Sequence, residues 1–275
     1  MTYCVGIRLN AGMVFVSDSR TNAGLDQIGT FRKMIVYERP GDRFIAMLSA
    51  GNLSVSQSIR ELLQVESLPS EAGGEPLTIW NATSMFDVAR LLGATVRRVQ
   101  IDDGPALQKA GVEFNASMIL GGQIRGEAMR MFLVYAAGNF IEATRETCYF
   151  QIGESKYGKP VLDRLIVPTT TLAAAAKGAL VSMDSTMKAN LSVGLPLDLL
   201  VYRDGSLANS ELVCIDEQNP YFQMIRSTWG QRLREVFDGM DDPRWDDGET
   251  MHPLRTASTR YESLRKIANP TDRIV

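Results

Sequence analysis

The chain opens on an alternation. Tyr3, Val5, Ile7 and Leu9 are interleaved with Thr2, Cys4, Gly6 and Arg8, and a period of two predicts a half-buried strand. Asn10-Ala11-Gly12 supplies a hairpin turn, and Met13-Val14-Phe15-Val16 returns as a strand apolar enough to be covered on both faces. Residues 34–37 and 44–48 form a second hairpin around Arg39-Pro40-Gly41-Asp42. Residues 21–32, polar and punctuated by glycine, predict a loop between the hairpins.

The period then lengthens. Val55, Ile59, Leu62 and Leu63 fall on one helical face after Gly51-Asn52. A second helix starts at Ser84, where Asp87 completes a capping box, and its stripe runs through Phe86, Ala89, Leu92 and Val96. Residues 67–76 read as the loop between them. Strand patterns resume at 114–120, 129–135 and 149–152, helical ones follow at 158–165 and 172–187, and strands return at 195–202 and 212–215 around Asp204-Gly205. A last long helix is expected over 221–237. Hairpins, a helix pair, hairpins and helices again are not the alternation of a parallel sheet. They predict an α+β fold, a four-layer αββα sandwich of two antiparallel sheets covered by helices. The hydrolase-sized domain is expected over 1–237, with a C-terminal extension over 238–275 that opens acidic and turn-rich and carries a short helix over 257–267.

Composition narrows the function. At 45% hydrophobic and 22% charged, the 275 residues can bury a sizeable core. A net charge of -3 carries no basic excess, which argues against a nucleic-acid partner. No apolar run reaches the ~18 residues of a membrane helix, and the first residues lack a secretory pattern, so the expected location is cytoplasmic. Cys4, Cys148 and Cys214 are odd in number and unpaired in spacing, and read as small core hydrophobes. His252 is the single histidine and sits among Asp246, Asp247 and Glu249, as a solvated residue would. A catalytic triad needs a firmly held imidazole. If this chain is an enzyme, its base is something else.

Thr2 offers one. Removal of Met1 before a small residue exposes an α-amine, whose unperturbed pKa of about 7.7–8.0 lets it take a proton near neutrality. Beside the threonine's own hydroxyl, that amine can activate the oxygen as nucleophile. Asp18 follows the most apolar strand, in Ser17-Asp18-Ser19-Arg20, and Lys33 begins the next hairpin. Singly, each reads better as a surface charge. Buried together near one nucleophile, they would hold each other ionised, and the ammonium would favour an alkoxide.

Thr2, then Asp18-Ser19-Arg20 with Ala23-Gly24, then Lys33-Met34-Ile35, then Ser49-Ala50-Gly51 before a helix, resembles the proteasome β-subunit family, whose layout the bacterial HslV peptidase shares. The resemblance implies an N-terminal nucleophile hydrolase in which mature Thr2 attacks a peptide carbonyl, with Asp18 and Lys33 as the charged pair beside it. It implies that Gly51 lends a backbone N–H to the oxyanion, although a plain strand-to-helix turn would also select glycine. Arg20 would be a supporting ion-pair partner or a surface residue. The likeness extends more weakly through residues 153–158 and 192–205. Where the family has a serine near the threonine amine, this chain has Ile152, with Ser155 three residues on; where it has an aspartate before the late-loop serine, this chain has Ala189 or Asn190. Ser155 and Ser192 are the candidates to serve from shifted positions.

Residues 149–158 and 190–196 are similar to Anbu, the ancestral β subunit branch. That resemblance implies one kind of subunit assembling into a ring or open helical oligomer. The expected activity is therefore a threonine peptidase freed by Met1 removal and acting on a peptide or protein substrate. The alternatives are an amidohydrolase for a non-peptide amide or modified peptide, and a non-catalytic homo-oligomeric scaffold. This chemistry needs no metal or cofactor; the acidic stretch at Asp238, Asp241, Asp242, Asp246 and Asp247 reads as a solvated linker. With no P-loop in the sequence, any ATPase partner would be a separate protein.

Overall fold

In the computed structural model two antiparallel five-stranded sheets stack face to face, and helices cover both outer faces. The structure describes residues 2–22, 28–69, 74–208 and 211–242. In chain order the elements are β1 (Tyr3–Leu9), β2 (Gly12–Asp18), β3 (Arg20–Asn22), β4 (Ile28–Thr30), β5 (Met34–Arg39), β6 (Arg43–Gly51), α1 (Leu53–Val65), α2 (Met85–Lys109), β7 (Ala116–Ile124), β8 (Arg130–Val134), β9 (Phe140–Glu142), β10 (Tyr149–Gly153), α3 (Lys159–Leu165), α4 (Leu172–Ala189), β11 (Leu197–Arg203), β12 (Glu211–Ile215) and α5 (Pro220–Asp238). One sheet runs β10-β1-β2-β11-β12 and the other β5-β6-β7-β8-β9. The chain divides into two compact units, Met1–Trp229 and Gly230–Val275, and the sandwich lies in the first.

The alternation of each strand is the reason for the layering. Tyr3, Val5 and Ile7 of β1 pack with α3 and α4 residues such as Leu162 and Ala179, while Cys4 faces the opposite sheet. On β2, Val14 and Val16 join the helix side, and Met13 and Phe15 join the core between sheets, so the whole strand is buried. On β6, Ile45 and Met47 meet α1 and α2, whereas Phe44, Ala46 and Leu48 fill the middle. Each such side chain contributes about 1.5–3 kcal/mol on leaving water. The middle layer is what joins the two sheets. The α+β, four-layer arrangement expected from the pattern is the one found.

Local expectations mostly hold, with corrections. Ser84 caps α2 by accepting the Asp87 N–H at 3.1 Å. Residues 20–22 and 28–30, expected in a loop, form the β3–β4 hairpin; strands of three residues are too short to show a period. β9 was not foreseen, for the same reason. Phe86, expected on the buried stripe of α2, is 43% exposed and packs edge-on against Phe140 at the margin of the second sheet. Cys4 and Cys148 are buried as expected, but Cys214 is exposed on the outermost strand β12. His252, Asp246, Asp247 and the helix expected over 257–267 lie outside the described residues. Among the described residues no helix is long and apolar enough to cross a membrane.

Candidate active site

Thr2 stands half-buried at the head of β1. Its carbonyl oxygen accepts the Glu154 N–H at 2.7 Å. That approach requires glycine at 153: Gly153 pairs in register with Tyr3, has φ of 80°, and a Cβ there would collide with the Thr2 carbonyl oxygen. The next N–H, that of Tyr3, is donated to Asp18 Oδ1 at 3.0 Å. The Tyr3 ring turns to the helix side, where its hydroxyl meets Ser182 Oγ at 2.7 Å and also Gln151. Burial pushes this phenol up to about 12, so it is a neutral, fixed post behind Thr2.

Asp18 closes β2, and its side chain is 0% exposed. Lys33, just before β5, donates from Nζ to Asp18 Oδ1 at 2.7 Å and to the Arg20 carbonyl oxygen at 2.7 Å. Its side chain is 5% exposed. Burial pushes the Asp18 carboxyl above its ordinary value, while the Lys33 ammonium and the N–H groups of Tyr3 and Gly194 oppose that push. Ser49 on β6 fixes the lysine by continuing the β5–β6 ladder, its N–H reaching the Lys33 carbonyl oxygen at 2.9 Å. The ion pair therefore joins the end of β2 in one sheet to the approach to β5 in the other.

Gly51 ends β6 with φ of 115°, and a Cβ there would collide with the Asn115 carbonyl oxygen. The chain turns at once into α1, capped by Asn52 Oδ1 accepting the Ser54 N–H at 3.0 Å. Thr2, Lys33 and Gly51 line one cleft, and Asp18 sits behind Lys33. Sequence reading thus chose four residues that the fold brings together, from the head of β1, the end of β2, the approach to β5 and the end of β6.

The supporting residues are placed differently. Arg20 Nη1 donates to the Leu191 carbonyl oxygen at 3.0 Å, so it braces the loop after α4 through a carbonyl; of the two roles expected of it, the ion pair is not formed among the described residues. In place of the missing serine, Ile152 is buried in the core between the sheets. Ser155 bonds through its N–H to the Gly153 carbonyl oxygen, and Ser192 through its N–H to Asn190 Oδ1. Neither hydroxyl is bonded to Thr2 among the described residues. Asn190 Nδ2 instead meets Glu154 Oε2 at 3.0 Å, tying the late loop to the residue that holds the Thr2 carbonyl. Sequence reading missed Ser49, the Tyr3 and Gly194 N–H groups, and Gly153. Ser49 was visible only as part of the Ser-Ala-Gly motif, and backbone donors carry no signature in residue type. Among the described residues, no group of three or more His, Cys, Asp or Glu side chains is placed to hold a metal ion.

Neither a scan against family models nor a search of curated proteins returned a match. Solved structures do match. Anbu (ancestral beta-subunit) from Yersinia bercovieri is 47% identical, over 89% of this chain and 99% of that one, with a TM-score of 0.80. The Anbu complex from Pseudomonas aeruginosa, solved as a helical assembly, is 42% identical over 88% and 98%, at 0.81. A Gly-1 mutant of Anbu from Hyphomicrobium sp. strain MC1 is 39% identical over 90% and 100%, at 0.79. Identity at this level along nearly the full length of each relative, on a shared αββα sandwich, means that this chain belongs to the Anbu family of proteasome-like N-terminal nucleophile hydrolases.

Proposed function

We propose that this chain, once Met1 is removed, is a threonine peptidase that cuts peptide bonds at the cleft that Thr2 shares with Lys33 and Gly51. The observation that carries the reading is the buried Asp18–Lys33 pair beside Thr2, on a cleft shared with Gly51. The freed Thr2 amine takes the proton of the Thr2 hydroxyl, and the oxygen attacks the substrate carbonyl. The Lys33 ammonium stabilises the developing alkoxide, and the Gly51 N–H donates to the oxyanion, an interaction worth about 2.7–4 kcal/mol in comparable acyl transfers. The amine then gives its proton to the leaving nitrogen, and water releases the acyl group by the same path. Asp18 keeps the lysine charged and aimed. Self-association belongs to the reading as well, supported by the helical assembly of the Pseudomonas relative.

A specific observation favours a second substrate class. With Ile152 in the core and neither Ser155 nor Ser192 bonded to Thr2, the surroundings of the amine depart from the family pattern. A dedicated amide or modified peptide would suit such a site better than a generic peptide.

The test starts with the intact mass of the purified chain. For protein beginning at Thr2, peptide and small-amide hydrolysis is compared with that of Thr2→Ala. Loss of turnover in the variant, with the oligomer preserved, is the expected outcome. Turnover that survives Thr2→Ala sinks the mechanism, and a chain that keeps Met1 and hydrolyses nothing moves the scaffold alternative forward.

A further inference from the structure

Among the described residues, the charged side chains lining the cleft beside Thr2 are all cationic. Its floor is apolar, formed by the register partners Ile35 on β5 and Met47 on β6. One wall is a face of α1, where Leu53, Ser56, Gln57 and Arg60 follow at helical spacing. Among the described residues, Arg32, Lys33 and Arg60 line it and no Asp or Glu does.

The three cations are not equally engaged. Lys33 is committed to Asp18 and the Arg20 carbonyl oxygen. Arg32 reaches the buried Asp198 at 3.5 Å. Arg60 meets the largely exposed Glu61 through Nη2 at 3.4 Å, but its Nε is buried and, among the described residues, has no hydrogen-bond partner. A buried guanidinium N–H without an acceptor is costly until an acceptor arrives.

Resting on the peptidase reading for the bond that is cut, we propose that this cleft holds the substrate side chain on the acyl side of that bond. It selects an acidic one, glutamate ahead of aspartate, with Arg60 as the anchor. The floor of Ile35 and Met47 matches the methylenes, and the carboxylate supplies the acceptor that Arg60 lacks. Length discriminates between the two acids. From Leu53 to Arg60 the helix rises about 10 Å, and a long helical side chain leans back toward the N-terminus. The arginine therefore covers part of the distance to Thr2, and the longer acid covers more of the rest.

The test separates binding from turnover. Fluorescent peptides differing at that one position (Glu, Asp, Gln, Leu or Lys) are titrated into the full chain carrying Thr2→Ala. The glutamate peptide is expected to bind on the order of tenfold tighter than the glutamine one. That advantage should shrink with salt, persist in Arg60→Lys and vanish in Arg60→Gln. Equal affinities for glutamate and glutamine, no binding by any peptide, or an advantage untouched by Arg60→Gln each overturns the proposal. Cleavage by the unsubstituted chain is read apart from this. Fastest cleavage of the leucine peptide overturns the selectivity while the peptidase reading stands. Glutamate-selective binding with no peptide cut does the reverse.

Discussion

Lys33→Met takes the cation from the Asp18 pair without opening a large hole, because methionine is nearly as long and wholly apolar. Two bonds of 2.7 Å disappear. Asp18, 0% exposed, is left with the Tyr3 N–H at 3.0 Å and the N–H of Gly194 nearby. Taking one partner from a buried pair costs about 3–5 kcal/mol, a large share of the about 5–15 kcal/mol that holds a typical domain folded. Burial already pushes the Asp18 carboxyl up, and Lys33 is the main group opposing it, so the variant's carboxyl rises further. A carboxyl raised on folding binds its proton more tightly in the native state. Its presence then costs stability above the folded pKa, and the cost fades as pH falls through that value. The deficit of Lys33→Met should therefore be full at about pH 8 and smaller at about pH 5. Adding Asp18→Asn removes the stranded charge and should recover most of the loss. Urea unfolding at one protein concentration measures all of this. A loss under about 1 kcal/mol at the higher pH, an equal loss at both, or a double variant no better than the single one refutes the reasoning.

Three further outcomes are expected. Gly51→Ala forces a Cβ onto the Asn115 carbonyl oxygen at φ of 115° and should cost about 1–3 kcal/mol together with peptide turnover; an unchanged melting temperature would count against the strained turn. Asp198 is buried with Oδ2 unpartnered among the described residues, and burial pushes its carboxyl up, opposed by Arg32. Asp198→Asn should raise the melting temperature near neutral pH, by less as pH falls through the raised pKa, and a lowered one contradicts this. Ser84→Ala removes both the 3.1 Å cap and the 2.7 Å bond from Ser84 Oγ to Asp87 and should cost about 1 kcal/mol in urea titration; Ser84→Thr should stay close to the parent.

The sandwich was legible because its strands are covered on known faces. β1 and β6 alternate between two different cores, and β2 has no polar face to spare until Ser17 and Asp18. Legibility fails where burial does not impose a pattern. The β3–β4 hairpin is polar and short, and β12, at the sheet edge, exposes Glu211 through Cys214 although its sequence reads as buried. The charged pair was legible only in company: singly Asp18 and Lys33 read as surface charges, and only their spacing with Thr2 and Gly51 pointed to a shared site. What holds that pair was not. The N–H of Tyr3 and the reach of Asn190 to Glu154 depend on chain crossings that no local window contains.

The neighbours of β1 have a consequence for timing. β1 is paired on one side with β2, next in the chain, but on the other with β10, and β2 in turn needs β11. Thr2 is thus clamped by Glu154, which lies more than half of these 275 residues further along the chain. Contacts so distant in sequence form slowly. Until β10 is in place the Thr2 carbonyl has no partner at Glu154, so the candidate site is assembled late in folding. On the peptidase reading, the connectivity that delays the clamp also delays the moment at which Thr2 is fixed beside Lys33 and Gly51.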